Sequence, residues 1–94
     1  MISAIVLINA EVGRIPEVAA AIAELDGVSE VYSVTGDVDL IAIVRVRHHE
    51  ELADVIADQL NKVNGVLGTD THIAFRTYSK HDLEAAFSLG LDDA

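Results

Sequence analysis

The chain has 94 residues, with 16 acids against 6 bases for a net charge of −10, and 51% of it is hydrophobic. That length allows one domain, which buries roughly two thirds of its unfolded surface when it folds. The hydrophobicity excludes a disordered chain, the acidity argues against a polyanionic partner, and the lack of cysteine excludes disulfides, thiol catalysis and Cys-ligated metals.

Aromatic residues make up 4% and there is no Trp, so platforms for stacking nucleic-acid bases are not expected. No apolar run reaches the ~20 residues that span a bilayer. Met1-Ile2-Ser3 carries no positive region of a secretory signal. The expected location is the cytoplasm, with neither a membrane nor a nucleic acid as a direct partner.

Residues 2–10 form a short, β-branched, continuously apolar run, the pattern of a strand buried on both faces. A loop follows over residues 9–13. Pro16 suits the first turn of a helix, and Val18, Ile22 and Leu25 recur at helical spacing among alanines. Asp26-Gly27 ends that helix with a left-handed cap. Residues 28–35 read as a second strand, whose imperfect alternation predicts a bulge. Gly36-Asp37 then signals a hairpin turn into a third strand over residues 39–47. Its Leu40, Ala42, Val44 and Val46 share one face; Ile41 and Ile43 share the other.

His48-His49-Glu50-Glu51 opens a second helix, with acids where the helix dipole favours them. Leu52, Val55, Ile56, Leu60 and Val63 form its apolar stripe, and Asn64-Gly65 stops it. A fourth strand lies within residues 66–78. A short helix is expected over residues 83–89, ended by Gly90, then an acidic tail. Adjacent histidines on a helix point about 100° apart, so His48 and His49 do not converge on a metal. His72 lies near Asp70 and could approach His81, a weak pattern for a metal site. No P-loop, dinucleotide fingerprint or Ser-His-Asp spacing is present, so neither a catalytic site nor a cofactor is expected.

Sliding the chain by 38 residues pairs Ile5 with Ile43, Val6 with Val44 and Ile8 with Val46. The same offset pairs Val18 with Ile56, Ile22 with Leu60, Leu25 with Val63, Gly27 with Gly65 and Val28 with Val66. One offset carrying strand, helix and cap predicts a ferredoxin-like α+β domain, βαββαβ with an antiparallel sheet, plus the terminal helix. Both helices would cover one face. The first and third strands, central in such a sheet, are apolar on their other face too. A bare face of that kind calls for a second copy, so a two-fold dimer is expected.

Residues 34–46, Val-Thr-Gly-Asp-Val-Asp-Leu-Ile-Ala-Ile-Val-Arg-Val, resemble the central hairpin of the effector-binding (RAM) domain of the Lrp/AsnC regulators. Leu25-Asp26-Gly27-Val28 is similar to that family's helix end and second strand. Asn64-Gly65-Val66 with Thr69-x-Thr71 is similar to its last strand. The likeness covers residues 2–79. It implies an α/β-barrel-type dimer, assembly of dimers into a ring, and amino-acid effectors bound in clefts between dimers. Family regulators also carry an N-terminal DNA-binding helix-turn-helix. None precedes the first strand here, so residues 1–94 are expected to be a stand-alone effector domain. It would act by mixing with full-length relatives or by binding another protein.

Carried onto this sequence, the effector contacts are Gly36, Asp37, Val38 and Asp39 of the hairpin and Thr69 and Thr71 of the last strand. Tyr32 and Ser33, on the strand entering the hairpin, are further candidates. The chemistry suits a zwitterion. Asp37 or Asp39 can accept from an ammonium, and backbone N–H groups freed by Gly36 can donate to a carboxylate. Threonine hydroxyls can do either. Each position also has a structural alternative: Gly-Asp is ordinary turn chemistry, Asp39 can cap the turn, and threonine is common in strands. Two other functions fit the topology: a small dimeric α+β-barrel enzyme of monooxygenase type, and a ligand-free structural oligomer. The tightly spaced aliphatic inner face argues against an enzyme's roomy cavity. An ACT-type regulatory domain is a close structural cousin.

Overall fold

The computed structural model describes residues 1–78 and residue 80. The elements run β1 (Ile2–Ala10), a 3-10 turn (Val12–Arg14), α1 (Ile15–Ala23), β2 (Val28–Ser33), β3 (Leu40–Val46), α2 (His49–Leu52) and β4 (Val66–Ile73). The sheet order is β2-β3-β1-β4, every neighbour antiparallel. This is the ferredoxin-like α+β arrangement, with β1 and β3 central. The helix expected over residues 83–89 lies outside the described residues.

The strands interleave two sets of side chains because their period is two. One set meets the helices. Ala4, Val6, Ile8 and Ala10 of β1 and Leu40, Ala42, Val44 and Val46 of β3 are all buried. They pack with Val18 and Ile22 of α1 and with Leu52, Val55 and Leu60 from the second helical segment. The other set makes an outer face. The register places Tyr32, Ile41, Leu7 and Asp70 in one row, and Glu30, Ile43, Ile5 and His72 in the next. Ile5 is 38% exposed there. The middle of this face is aliphatic and its two edge strands are polar.

Pro16 sits in the first turn of α1, as expected. The bulge expected in β2 lies between Val28 and Glu30. The second helix departs from expectation. It is α-helical only over His49–Leu52, then opens into π-helical turns over Ala53–Gln59 and closes with a 3-10 turn at Leu60–Lys62. Val55 and Leu60 are both buried although five residues apart. On an ideal α-helix that spacing would set them about 140° apart; wider turns bring both to the core. β2 also stops short, at Ser33, while β4 over Val66–Ile73 lies within its expected range.

Gly27 and Gly65, paired by the internal repeat, both have positive φ, +93° and +103°. A Cβ on Gly27 would stand 2.9 Å from Val55 Cγ2, and one on Gly65 would stand 2.6 Å from Val18 Cγ2. Each helix-ending glycine therefore makes room for a valine on the other half's helix. Each is also tied across by its carbonyl: Arg45 N–H donates to Gly27 at 2.8 Å, and Glu11 N–H donates to Gly65 at 2.9 Å.

Candidate functional site

The hairpin joining the two halves stands at the end of the sheet where β1 finishes and β3 begins. Gly36 turns the chain with φ +109°, and no atom lies within 4 Å of where its Cβ would be. Gly36 and Asp37 are exposed, while Val38 and Asp39 are half-buried. The loop is closed by Val34 N–H donating to the Asp39 carbonyl at 3.1 Å.

Asp39 is fixed three ways. Its carbonyl accepts from Val34, its N–H donates to the Ile8 carbonyl at 3.0 Å, and its Oδ2 accepts the Ala10 N–H at 2.9 Å. The side chain thus extends the β1–β3 ladder by one bond where β1 shifts register between Asn9 and Ala10. It serves the strand ladder and makes no bond to the turn it was expected to cap. A carboxylate has two oxygens and about four acceptor sites, so this bond does not exhaust its capacity.

The other candidates lie elsewhere. Ser33, Leu40, Ile8 and Thr69 form one row across the sheet. Ser33 and Thr69 stand at its opposite edges, three strand spacings or about 14 Å apart. Thr69 donates its hydroxyl to Asn61 Oδ1 at 2.8 Å. Thr71 is exposed on β4, one row further from the hairpin, opposite Val6. Tyr32 lies on the outer face, and its hydroxyl donates to Glu30 Oε2 at 2.6 Å. That bond holds the phenol's pKa above its ordinary value, helped by desolvation and the carboxylate's charge and opposed by Arg45. Arg45 Nη1 stands 3.8 Å from Glu30 Oε1. One protomer therefore gathers Gly36, Asp37, Val38 and Asp39 into a loop, but leaves Tyr32 and Ser33 on one sheet edge and Thr69 and Thr71 on the other.

Two features escaped the sequence reading. Arg14, just after β1, has its Nε buried with no hydrogen-bond partner, packed where a Gly65 Cβ would be. A cleft of about 500 Å³ opens at the far end of the sheet, bordered by Met1, Gly27, Arg47, Glu51 and Val55. It is assembled from the ends of several elements, so no contiguous motif marks it. Among the described residues no group of three His, Asp or Glu could hold a metal. His72 Nε2 meets Asp70 Oδ2 at 3.4 Å; His81 lies outside the described residues. No helix among them is long and apolar enough to cross a membrane.

Comparison with known proteins agrees with this fold. Residues 3–83 match the Lrp/AsnC ligand binding domain. The HTH-type transcriptional regulator FL11 of Pyrococcus horikoshii is 34% identical over 77 residues, 82% of this chain and 50% of its own length. The chain thus spans about half the length of the curated relatives it matches. The crystal structure of TTHA0845 from Thermus thermophilus is 48% identical, with a TM-score of 0.80 over 85% of this chain and 100% of that one. The feast or famine regulatory protein Rv3291c of M. tuberculosis, complexed with L-methionine, is 26% identical. Its TM-score is 0.70 over 85% of this chain and 54% of that one. Sequence pattern, relatives and fold coincide over one continuous stretch: the chain belongs to the Lrp/AsnC ligand-binding domain family.

Proposed function

We propose that this chain is a non-catalytic amino-acid sensor. It pairs through the outer faces of its sheets and takes its effector at the hairpin end, in clefts between assembled dimers. The observation that carries the reading is the hairpin itself. An aspartate whose carboxylate accepts the Ala10 N–H, and whose own backbone makes two further bonds, stands beside an open glycine turn. Asp39, with Asp37, is the acceptor for the ammonium. Amides around Gly36 are the donors for the carboxylate, and Val38 shapes the apolar side.

The wide separation of the other candidates supports a shared site. Thr69 and Thr71 stand too far from Ser33 and Tyr32 for one amino acid to touch both on one protomer. A second copy can bring one protomer's hairpin to another's β4. The methionine complex of the M. tuberculosis protein supports an amino acid as ligand class. Relatives named as transcriptional regulators support a regulatory rather than catalytic role. The Thermus chain is covered in full by the same domain. Longer regulators that carry the same domain, such as FL11, are the proposed mixing partners.

A thermal-shift panel of the twenty amino acids, methionine first, tests the reading. A ligand at a hundred times its Kd adds about 2.7 kcal/mol of stability. At roughly 4–8 °C per kcal/mol for a small domain, that raises the melting point by about 10–20 °C. A rise with one or a few amino acids is expected. No response to any of them at millimolar concentration would sink the sensor reading and leave a structural oligomer.

A further inference from the structure

Beyond Ile73 the chain leaves the sheet but keeps an apolar character. Ala74 N–H still donates to the Ser3 carbonyl at 2.9 Å, and residues 75–78 then have no regular structure. Phe75 is 99% exposed and Tyr78 73%. Two of the chain's four aromatic residues thus stand in water on one short segment. Two exposed bulky aromatics three residues apart are a costly surface unless something covers them.

The segment also inverts the charge of the molecule. Residues 71–81 contain no acid, and Arg76 and Lys80 are two of the six Lys and Arg in a chain of net charge −10. A second copy therefore presents a surface of opposite sign to this segment. On the outer face its rim carries Glu30 and Asp70, both exposed, beside Arg45 and His72 respectively. Reach is sufficient as well. Five extended residues span about 16 Å, against the ~10 Å that separates two facing sheets. The segment starts at the border of the outer face, because Ala74 is tied beside Ser3 in the Ser3–Arg45 row.

We propose that residues 74–78 form an arm that crosses to a second copy of this chain and buries Phe75 and Tyr78 against it. This rests on the face-to-face pairing proposed above and adds the arm as its clasp. Arg76 and Lys80 steer the arm to the acidic partner and set its register, while the two aromatics supply the buried area. Two-fold symmetry makes every arm contact twice, so a change in one arm residue is felt twice per dimer.

Sedimentation equilibrium of the full chain and of a Phe75→Ala/Tyr78→Ala variant tests the clasp, with Ile43→Lys as the disruption of the face itself. The arm variant should dissociate with a Kd raised roughly a hundredfold, and the face variant should be monomeric. Exposed arm residues are not needed for folding, which matched far-UV spectra will register. A wild-type dimer whose Kd is unchanged by the arm variant overturns the clasp and leaves the face reading intact. A wild-type chain that is monomeric at all concentrations overturns both. Trypsin gives an independent reading, since it cuts after Arg76 and Lys80. Cleavage there should slow about tenfold above the dimerisation midpoint, following the bound fraction. Equal rates at every concentration would overturn the clasp.

Discussion

The two βαβ halves repeat each other at an offset of 38 residues, yet they differ in how their helices are wound. In the first half α1 is a regular α-helix over Ile15–Ala23, opened by Pro16. In the second, α2 holds α geometry for four residues and then widens over Ala53–Gln59. Both end on a glycine of positive φ that seats a valine of the opposite half. The edge strands match too. On the outer face β2 carries Glu30 and Tyr32 two residues apart, and β4 carries Asp70 and His72 in the same relation. The repeat therefore preserves the locks between the halves and leaves the helix between them free to vary.

The sharpest way to break the symmetry is through the locks. Gly65→Ala places a methyl group 2.6 Å from Val18 Cγ2 on a backbone at φ +103°. Overpacking and the strained conformation together should cost about 2–4 kcal/mol of unfolding free energy. Gly27→Ala meets Val55 Cγ2 at 2.9 Å and should cost less. Urea denaturation of both variants would order them. Equal and negligible losses would show that the paired glycines are turn formers and nothing more.

The joint between the halves comes next. Asp39→Ala removes the acceptor of the Ala10 N–H and should cost about 1–2 kcal/mol. Asp39→Asn keeps an acceptor oxygen and removes the charge, so it should stay within about 0.5 kcal/mol of wild type. The pair separates the two roles of the residue. If the proposed site is right, both variants lose the amino-acid-induced rise in melting temperature, but only Ala is less stable without ligand. An Asn variant that responds to ligand as wild type does would remove Asp39 from the binding site.

Most of the fold was legible because the signals were local and repeated. The nine residues of β1 showed their strand by a short apolar run rich in β-branched residues, and Gly27 and Gly65 marked both helix ends. Two-sided apolar character in β1 and β3 announced an outer face that calls for a partner. The π-helical turns were not legible, because Leu52, Val55, Ile56, Leu60 and Val63 satisfy an α-helical stripe as well as a wider one. Only packing against the sheet chooses between them. The site was half legible. A Gly-Asp turn reads the same whether it binds a ligand or only turns, and the bond from Ala10 to Asp39 joins residues 29 apart. Arg14 was invisible for a like reason: its surroundings come from α1 and from the start of β4.

A smaller effect is expected from the helices themselves. Amides within Ala53–Gln59 should exchange with deuterium roughly three- to tenfold faster than those within Ile15–Ala23, because only Val55 is buried there, at 6% exposure, against Val18 and Ile22 at 0% in α1. Residue-resolved exchange by NMR would measure it. Identical protection in the two segments would show that the wider turns are no looser than the regular helix.

The last difference lies at the edges and is electrostatic. Tyr32 donates to Glu30 at 2.6 Å, and its phenol is held protonated above its ordinary pKa of 10.0, first by that bond, then by desolvation and the carboxylate's charge. A raised folded-state value means that the folded chain favours the neutral phenol. The stabilisation is therefore whole below the unfolded pKa and fades as pH rises through the folded one. The tyrosine is solvent-exposed, so the effect on stability is small and belongs only to alkaline solution. Absorbance at the phenolate band should follow Tyr32 titrating later than an unpaired tyrosine, and Glu30→Ala should bring it back towards 10. Partner binding over the outer face would delay the titration further, because a covered phenol resists charging. A midpoint that ignores both Glu30 and protein concentration would mean that the Tyr32–Glu30 bond does not persist in solution, and that the outer face beside it stays open to water.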